Sequence, residues 1–84
     1  MAVKDKFAAA QEAVQSLKKR PSNEQLLELY ALYKQATEGD AKGEKPGLFN
    51  FVARAKFEAW EELAGTSSEA AMREYIDKVK ALGA

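Results

Sequence analysis

Four stretches of this 84-residue chain repeat their apolar residues at helical period, and each is bounded by a proline, a glycine-rich segment or a hydroxyl-bearing cap. No stretch alternates at period two. The chain is therefore restricted to burying helix against helix, and an all-α bundle is the expected fold class.

From Val3 to Leu17 the residues Val3, Phe7, Ala10, Val14 and Leu17 form one narrow stripe. Lys18-Lys19-Arg20 is expected to complement the negative end of that helix, and Pro21 breaks the pattern. Ser22 with Gln25 three residues on is a capping box for a second helix reaching about Thr37. Its apolar arc is wide, comprising Leu26, Leu27, Leu29, Tyr30, Leu32, Tyr33 and Ala36, which implies two partners: neighbouring helices on one side, a ligand on the other. Glu24, Glu28 and Gln35 are expected on its solvent side.

Residues 38 to 47 hold three glycines and a proline with no apolar period, which predicts a surface loop. It exceeds the usual helix-to-helix connection of about 2–8 residues, so a crossover is expected in place of a tight hairpin. The third helix starts near Phe49 or Asn50, presents Val52, Ala55, Ala59 and Leu63, and stops before Gly65. Lys56 borders that stripe, while Arg54 and Glu58 are expected in solvent. Thr66 with Glu69 suggests a second capping box, opening a fourth helix with the stripe Met72, Tyr75, Ile76, Val79 and Leu82. One domain covering residues 1–84 is expected.

Composition narrows the function. Neither cysteine nor histidine occurs, which removes disulfides, thiolate or imidazole metal sites and the commonest general base. Serine occurs in no G-x-S-x-G elbow, so hydrolytic and acyl-transfer chemistry lacks its usual nucleophiles. No catalytic residue, metal or cofactor is expected. Thirteen basic residues balance thirteen acidic ones, against generic nucleic-acid binding. No apolar run approaches the ~18 residues of a membrane span, and Met-Ala-Val-Lys-Asp-Lys does not resemble a signal peptide. A soluble cytoplasmic monomer without stable membrane insertion is expected.

Tyr30, Tyr33 and Lys34 share one helical patch at i, i+3, i+4 spacing. Two phenols and an ammonium suit a flat aromatic ring bearing phosphate; tyrosines at this spacing also pack rings in a core with hydroxyls at the rim. Lys34 and Lys56 either converge on one anion or snorkel separately from helix edges. Tyr75 lies within the fourth stripe and is expected to be buried, with its hydroxyl free to reach a ligand. Trp60 and Phe57 read as packing residues.

The run from Leu29 through Asp40, LYALYKQATEGD, resembles the signature of the acyl-coenzyme A-binding proteins, called diazepam-binding inhibitors in animals. Phe7, Pro21, Lys45-Pro46-Gly47, Ala55-Lys56-Phe57-Glu58-Ala59-Trp60, Ala71-Met72 and Tyr75-Ile76-Asp77-Lys78-Val79 resemble the family pattern in order and spacing. The resemblance implies a four-helix up-down-down-up bundle with a long overhand loop between helices 2 and 3. It also implies non-covalent binding of one medium- to long-chain fatty acyl-CoA per domain, as an intracellular carrier and pool former in lipid metabolism, with transient contacts to acyl-CoA-using enzymes. Tyr30, Lys34 and Lys56 match residues that hold the adenine and 3′-phosphate, and Tyr33 and Tyr75 the remaining binding tyrosines. Ala31 and Leu32 fall inside the signature and are expected among the ligand-binding residues, and Leu27 and Ala55 are expected groove residues by family position and helical face. Gln15, where many members of the family carry a lysine in the first helix, and Val52, where some carry a second lysine early in the third, are further candidate ligand positions that lack the auxiliary phosphate-contacting charge, and Phe57 stands where tryptophan is common. A helical protein-interaction module is the rival reading.

Overall fold

Each apolar stripe is a helix in the computed structural model, which describes residues 2–83. Met1 and Ala84, which the N-terminal reading and the 1–84 domain span include, lie outside the described residues. Helix α1 is Val3–Gln15, α2 Asn23–Glu38, α3 Phe51–Glu61 and α4 Ser68–Ala81, with no strand among the described residues. No helix is long and apolar enough to cross a membrane.

Local chemistry fixes most of the ends. The Ser22 Oγ accepts the Gln25 N–H at 3.1 Å, and the Gln25 side chain accepts the Ser22 N–H at 2.9 Å, so the expected capping box forms. The second expected box does not. Ser67, one residue after Thr66, caps α4 by accepting the Ala70 N–H at 3.1 Å. This shift puts Glu69 at the second helical position, where it pairs with Arg73 at 2.6 Å. Helix α1 stops at Gln15, two residues short of expectation, because the Ser16 N–H turns back to the Ala13 carbonyl at 3.0 Å. Lys18, Lys19 and Arg20 therefore lie beyond its last turn and do not complement its dipole. Helix α3 likewise ends at Glu61, and the chain turns through Gly65, whose φ of 89° an L side chain would resist.

The core joins Phe7 and Ala10 of α1, Leu29, Leu32 and Ala36 of α2, and Ala71, Met72, Tyr75, Ile76 and Val79 of α4. Phe7 meets Tyr75 edge to face, ring centroids 5.1 Å apart. Among the helices, α4 packs on both α1 and α2, whereas α3 packs on α2 alone. Contacts give the directions. Glu28 of α2 pairs with Lys78 of α4, and the Ala36 carbonyl accepts the Ser68 hydroxyl, so these two helices are antiparallel. Between α2 and α3, Tyr30 faces Lys56 and Lys34 faces Trp60, one turn further along both; these two run parallel. Parallel neighbours need a crossover, which residues 39–50 supply as the expected overhand connection.

Crossover and helix ends are fastened by side chains. The Trp60 indole N–H donates to the Gly39 carbonyl at 2.7 Å, and the Arg54 guanidinium to the Pro46 carbonyl at 3.0 Å. Lys45 meets Glu58 at 3.0 Å and Glu61 at 3.4 Å. Arg54 and Glu58 are thus loop anchors, in contrast to the free solvent positions expected. Gln35 is a larger correction: it is 0 % exposed. Its amide Nε2 donates to Asp40 Oδ1 at 2.8 Å and to the Thr66 carbonyl at 2.9 Å, while the Gly65 N–H donates to the same Asp40 oxygen at 2.9 Å. This knot ties the end of α2 to the α3–α4 turn. The two donors hold the Asp40 carboxyl below its usual range, the Gly65 N–H contributing most.

Candidate functional site

Because α3 touches only α2, the wide apolar arc of α2 is left with one flank in the core and one flank beside α3. Between them lies a cavity of about 600 Å³ lined by Arg20, Asn23, Leu26, Leu27, Tyr30, Phe51, Val52, Ala55 and Lys56. Its character changes along its length. Leu26, Leu27, Val52 and Ala55 make an apolar floor, and one turn further on Tyr30 and Lys56 introduce an aromatic face and a charge.

That end is built reciprocally across the seam. The Lys56 Nζ of α3 stands 5.2 Å from the Tyr30 ring centroid of α2, and the Lys34 Nζ of α2 stands 5.0 Å from the Trp60 ring centroid of α3. Each ammonium leans on the other helix's aromatic face, where the ring quadrupole attracts it. Since 30 and 34, like 56 and 60, are one turn apart on parallel helices, the two cations fall about 6 Å apart along the seam. Both lysines thus stand along one seam, though only Lys56 lines the cavity. Lys34 pairs with Glu38 at i+4, so its ammonium already has a carboxylate partner. The hydrogen bond that Lys34 donates to the Glu38 carboxylate raises its pKa above the ordinary value against a smaller opposing effect of burial, so the ammonium is held fully charged.

Tyr33 and Tyr75 occupy the other side of this end, over α1. Tyr33 is 40 % exposed and stacks near Phe7 with centroids 6.1 Å apart. Tyr75 is buried as expected, and burial, with the Tyr33 hydroxyl a smaller cause, pushes its pKa up. Neither lines the α2–α3 cavity. The tyrosines thus divide between two flanks of α2, Tyr30 beside Lys56 and Tyr33 and Tyr75 beside Phe7.

Of the remaining candidates, Leu27, Val52 and Ala55 line the cavity. Ala31 and Leu32 do not present side chains to a ligand; both are buried, 2 % and 3 % exposed, with Leu32 in the core cluster. Gln15 sits exposed at the end of α1 and lines neither this cavity nor a smaller groove between α1 and α4. Sequence reasoning missed Arg20, Asn23 and Phe51. Arg20 donates to Asn23 Oδ1 at 3.4 Å just before α2 begins, and Phe51 is the first residue of α3. The available signal was position, since residues flanking the starts of two parallel helices must share one end of the groove.

A family model described as Acyl CoA binding protein matches residues 4–79. The chain is 52 % identical over 80 residues to the Acyl-CoA-binding protein homolog of Drosophila melanogaster, covering 95 % of this chain and 93 % of that protein. It is 55 % identical over 76 residues to the Acyl-CoA-binding protein of Saccharomyces cerevisiae, covering 90 % and 87 % respectively. Its fold superposes on the crystal structure of Oryza sativa Acyl-CoA-Binding Protein 2 with a TM-score of 0.91 at 43 % identity, covering 96 % of this chain and 90 % of that one.

Proposed function

The chain belongs to the acyl-CoA-binding protein family, and from that premise we propose that it binds medium- to long-chain fatty acyl-CoA esters non-covalently, as a carrier and pool former. The observation that carries this reading is the change of chemistry along one groove: an apolar floor that ends at Tyr30 and Lys56. The acyl chain lies on Leu26, Leu27, Val52 and Ala55, and each methylene fully removed from water adds roughly 0.8 kcal/mol. The nucleotide head stacks at Tyr30, and its 3′-phosphate, of about −2 charge, takes Lys56 and Lys34 as countercharge. Lys34 exchanges its Glu38 carboxylate for phosphate in doing so. Tyr33 and Tyr75 offer hydroxyls from the opposite flank.

The same residues hold and shield a thioester without cleaving it, so the protein is read as a binder with no catalytic residue, cofactor or metal. It is further read as a single acyl-CoA-binding domain, a cytoplasmic monomer that meets acyl-CoA-using enzymes transiently. Titration calorimetry with acetyl-CoA and palmitoyl-CoA tests the central point. Affinity should rise steeply with chain length and the thioester should remain intact after prolonged incubation; equal affinities would count against an apolar floor that receives the chain.

A further inference from the structure

The crossover delivers a pair of large apolar side chains to a place where polar ones are usual. The Asn50 N–H donates to the Gly47 carbonyl at 3.0 Å, closing a turn with Leu48 and Phe49 at its two central positions. Turn tips favour Gly, Asn, Asp and Ser because they face water. Here Leu48 is 68 % and Phe49 93 % exposed, and the patch continues into α3 through Phe51 at 74 % and Val52 at 68 %. The last two are walls of the groove, so the apolar tip stands at the groove's open end. Val52 leaves this patch uncharged.

On the other side of the same opening are the cations that the α1 dipole does not use. Arg20 lines the groove together with Phe51 and Val52, and Lys18 and Lys19 precede it, all three exposed. Among the described residues no carboxylate forms an ion pair with any of them. The nearer charges on the crossover are internally offset: Lys45 is paired with Glu58 and Glu61, and Lys42 and Glu44 oppose each other in sign. An exposed aromatic and aliphatic tip beside unpaired cations matches the boundary of an anionic bilayer, where acyl groups lie below and phosphates above.

The geometry points to this end of the molecule as a membrane-docking face: Leu48 and Phe49 enter the headgroup boundary, and Lys18, Lys19 and Arg20 meet anionic lipid. Docking is peripheral and reversible. It turns the open end of the groove to the surface in which an acyl chain is dissolved, so the chain passes from bilayer to groove with little exposure to water. The purpose of docking rests on the acyl-CoA reading, whereas docking itself is measured on ligand-free protein.

The test is co-sedimentation of the ligand-free full chain with vesicles of phosphatidylcholine mixed with phosphatidylserine, at low salt and at about 1 M salt, where the screening length falls to ~3 Å. Wild-type protein should sediment at low salt and be released at high salt. Leu48→Ser with Phe49→Ser should lower partition by about tenfold or more through lost apolar contact, and Lys18→Ser with Lys19→Ser by roughly fivefold per charge removed. Both variants should bind palmitoyl-CoA like wild type in vesicle-free calorimetry. Docking is overturned by wild-type protein that stays in the supernatant, by a Leu48→Ser, Phe49→Ser variant that sediments unchanged, or by loss of palmitoyl-CoA affinity in that variant, which would assign the pair to the ligand groove. Sedimentation velocity showing a dimer that the same variant dissolves would assign the patch to a second copy, and equally overturns it. Vesicle docking without palmitoyl-CoA binding in wild type would instead sink the carrier reading and leave docking standing.

Discussion

Replacing Gln35 by Glu changes the shape of that side chain very little and reverses what it offers to its neighbours. The native amide donates to the Asp40 carboxylate and to the Thr66 carbonyl from a position with no solvent exposure. Its own Oε1 is buried with no hydrogen-bond partner, so no donor nearby stands ready to receive a carboxylate. The substitution removes one charge-assisted hydrogen bond, about 1.5–3 kcal/mol, and one neutral bond, about 0.5–1.5 kcal/mol. It also buries a carboxyl beside the exposed Asp40 carboxylate, and keeping that group charged costs up to 3–5 pKa units at about 1.4 kcal/mol each. The lost bonds alone set a floor of about 2 kcal/mol, and with the burial of the carboxyl a destabilisation of roughly 4 kcal/mol at about pH 7 follows, a large share of the ~4–13 kcal/mol available to a domain of this size.

The pH dependence carries the signature. Burial and the Asp40 charge raise the introduced carboxyl's folded pKa above the unfolded value of about 4.3, so the penalty grows as pH rises above that value and eases as pH falls toward it. Wild-type Asp40 behaves oppositely. Its folded pKa is depressed, so its contribution is intact above the unfolded value of ~3.9 and is lost as pH falls through the folded one. Urea denaturation followed by far-UV circular dichroism at about pH 7 and pH 5 reads both. The variant should regain stability on going to the lower pH while wild type changes little. A penalty under ~1 kcal/mol, or one that is the same at both pH values, would refute the knot around Gln35.

Other expectations follow from single contacts. Asp40→Asn should blunt the acid limb of the wild-type stability profile, read by the same denaturation series below about pH 4, because the depressed carboxylate is removed. Ser67→Ala should cost about 1 kcal/mol as a lost cap while Thr66→Ala costs appreciably less, since Thr66 supplies only its backbone carbonyl to Gln35; equal costs would return the cap to Thr66. Glu38→Gln should tighten palmitoyl-CoA binding several-fold in calorimetry by releasing Lys34 from its carboxylate, whereas Lys34→Ala and Lys56→Ala should each weaken it by roughly tenfold or more, the worth of a charge-assisted contact.

The helices were legible because burial in a bundle imposes a period, and Phe7 and Ala10 of the first stripe and Met72, Tyr75, Ile76 and Val79 of the fourth are buried in the core. The Ser22 box was legible because both partners lie within one turn. The caps at Thr66 and Ser67 differ by one residue of nearly equal chemistry, and only the backbone angles choose between them. Gln35 was misread for a different reason: its partners come from the crossover and from a turn 31 positions away, so helical spacing placed it with the polar face. The groove was half legible. Leu27 and Ala55, the expected groove residues, line the cavity together with Tyr30, Val52 and Lys56, whereas Arg20, Asn23 and Phe51 join it only because α2 and α3 start side by side. Ala31 and Leu32 show the limit of a contiguous signature, since neighbouring residues on a helix face different directions.

The most direct test of the central claim is a heteronuclear NMR titration of the wild-type chain with palmitoyl-CoA in vesicle-free buffer. Shift changes should saturate at one equivalent and concentrate at Leu26, Leu27, Tyr30, Lys34, Val52, Ala55 and Lys56, with intermolecular contacts from the acyl chain to the Leu27 and Ala55 side chains. Changes centred on the groove between α1 and α4, around Ala9, Ala13 and Lys80, or no saturable change at all, would contradict an acyl-CoA site between α2 and α3.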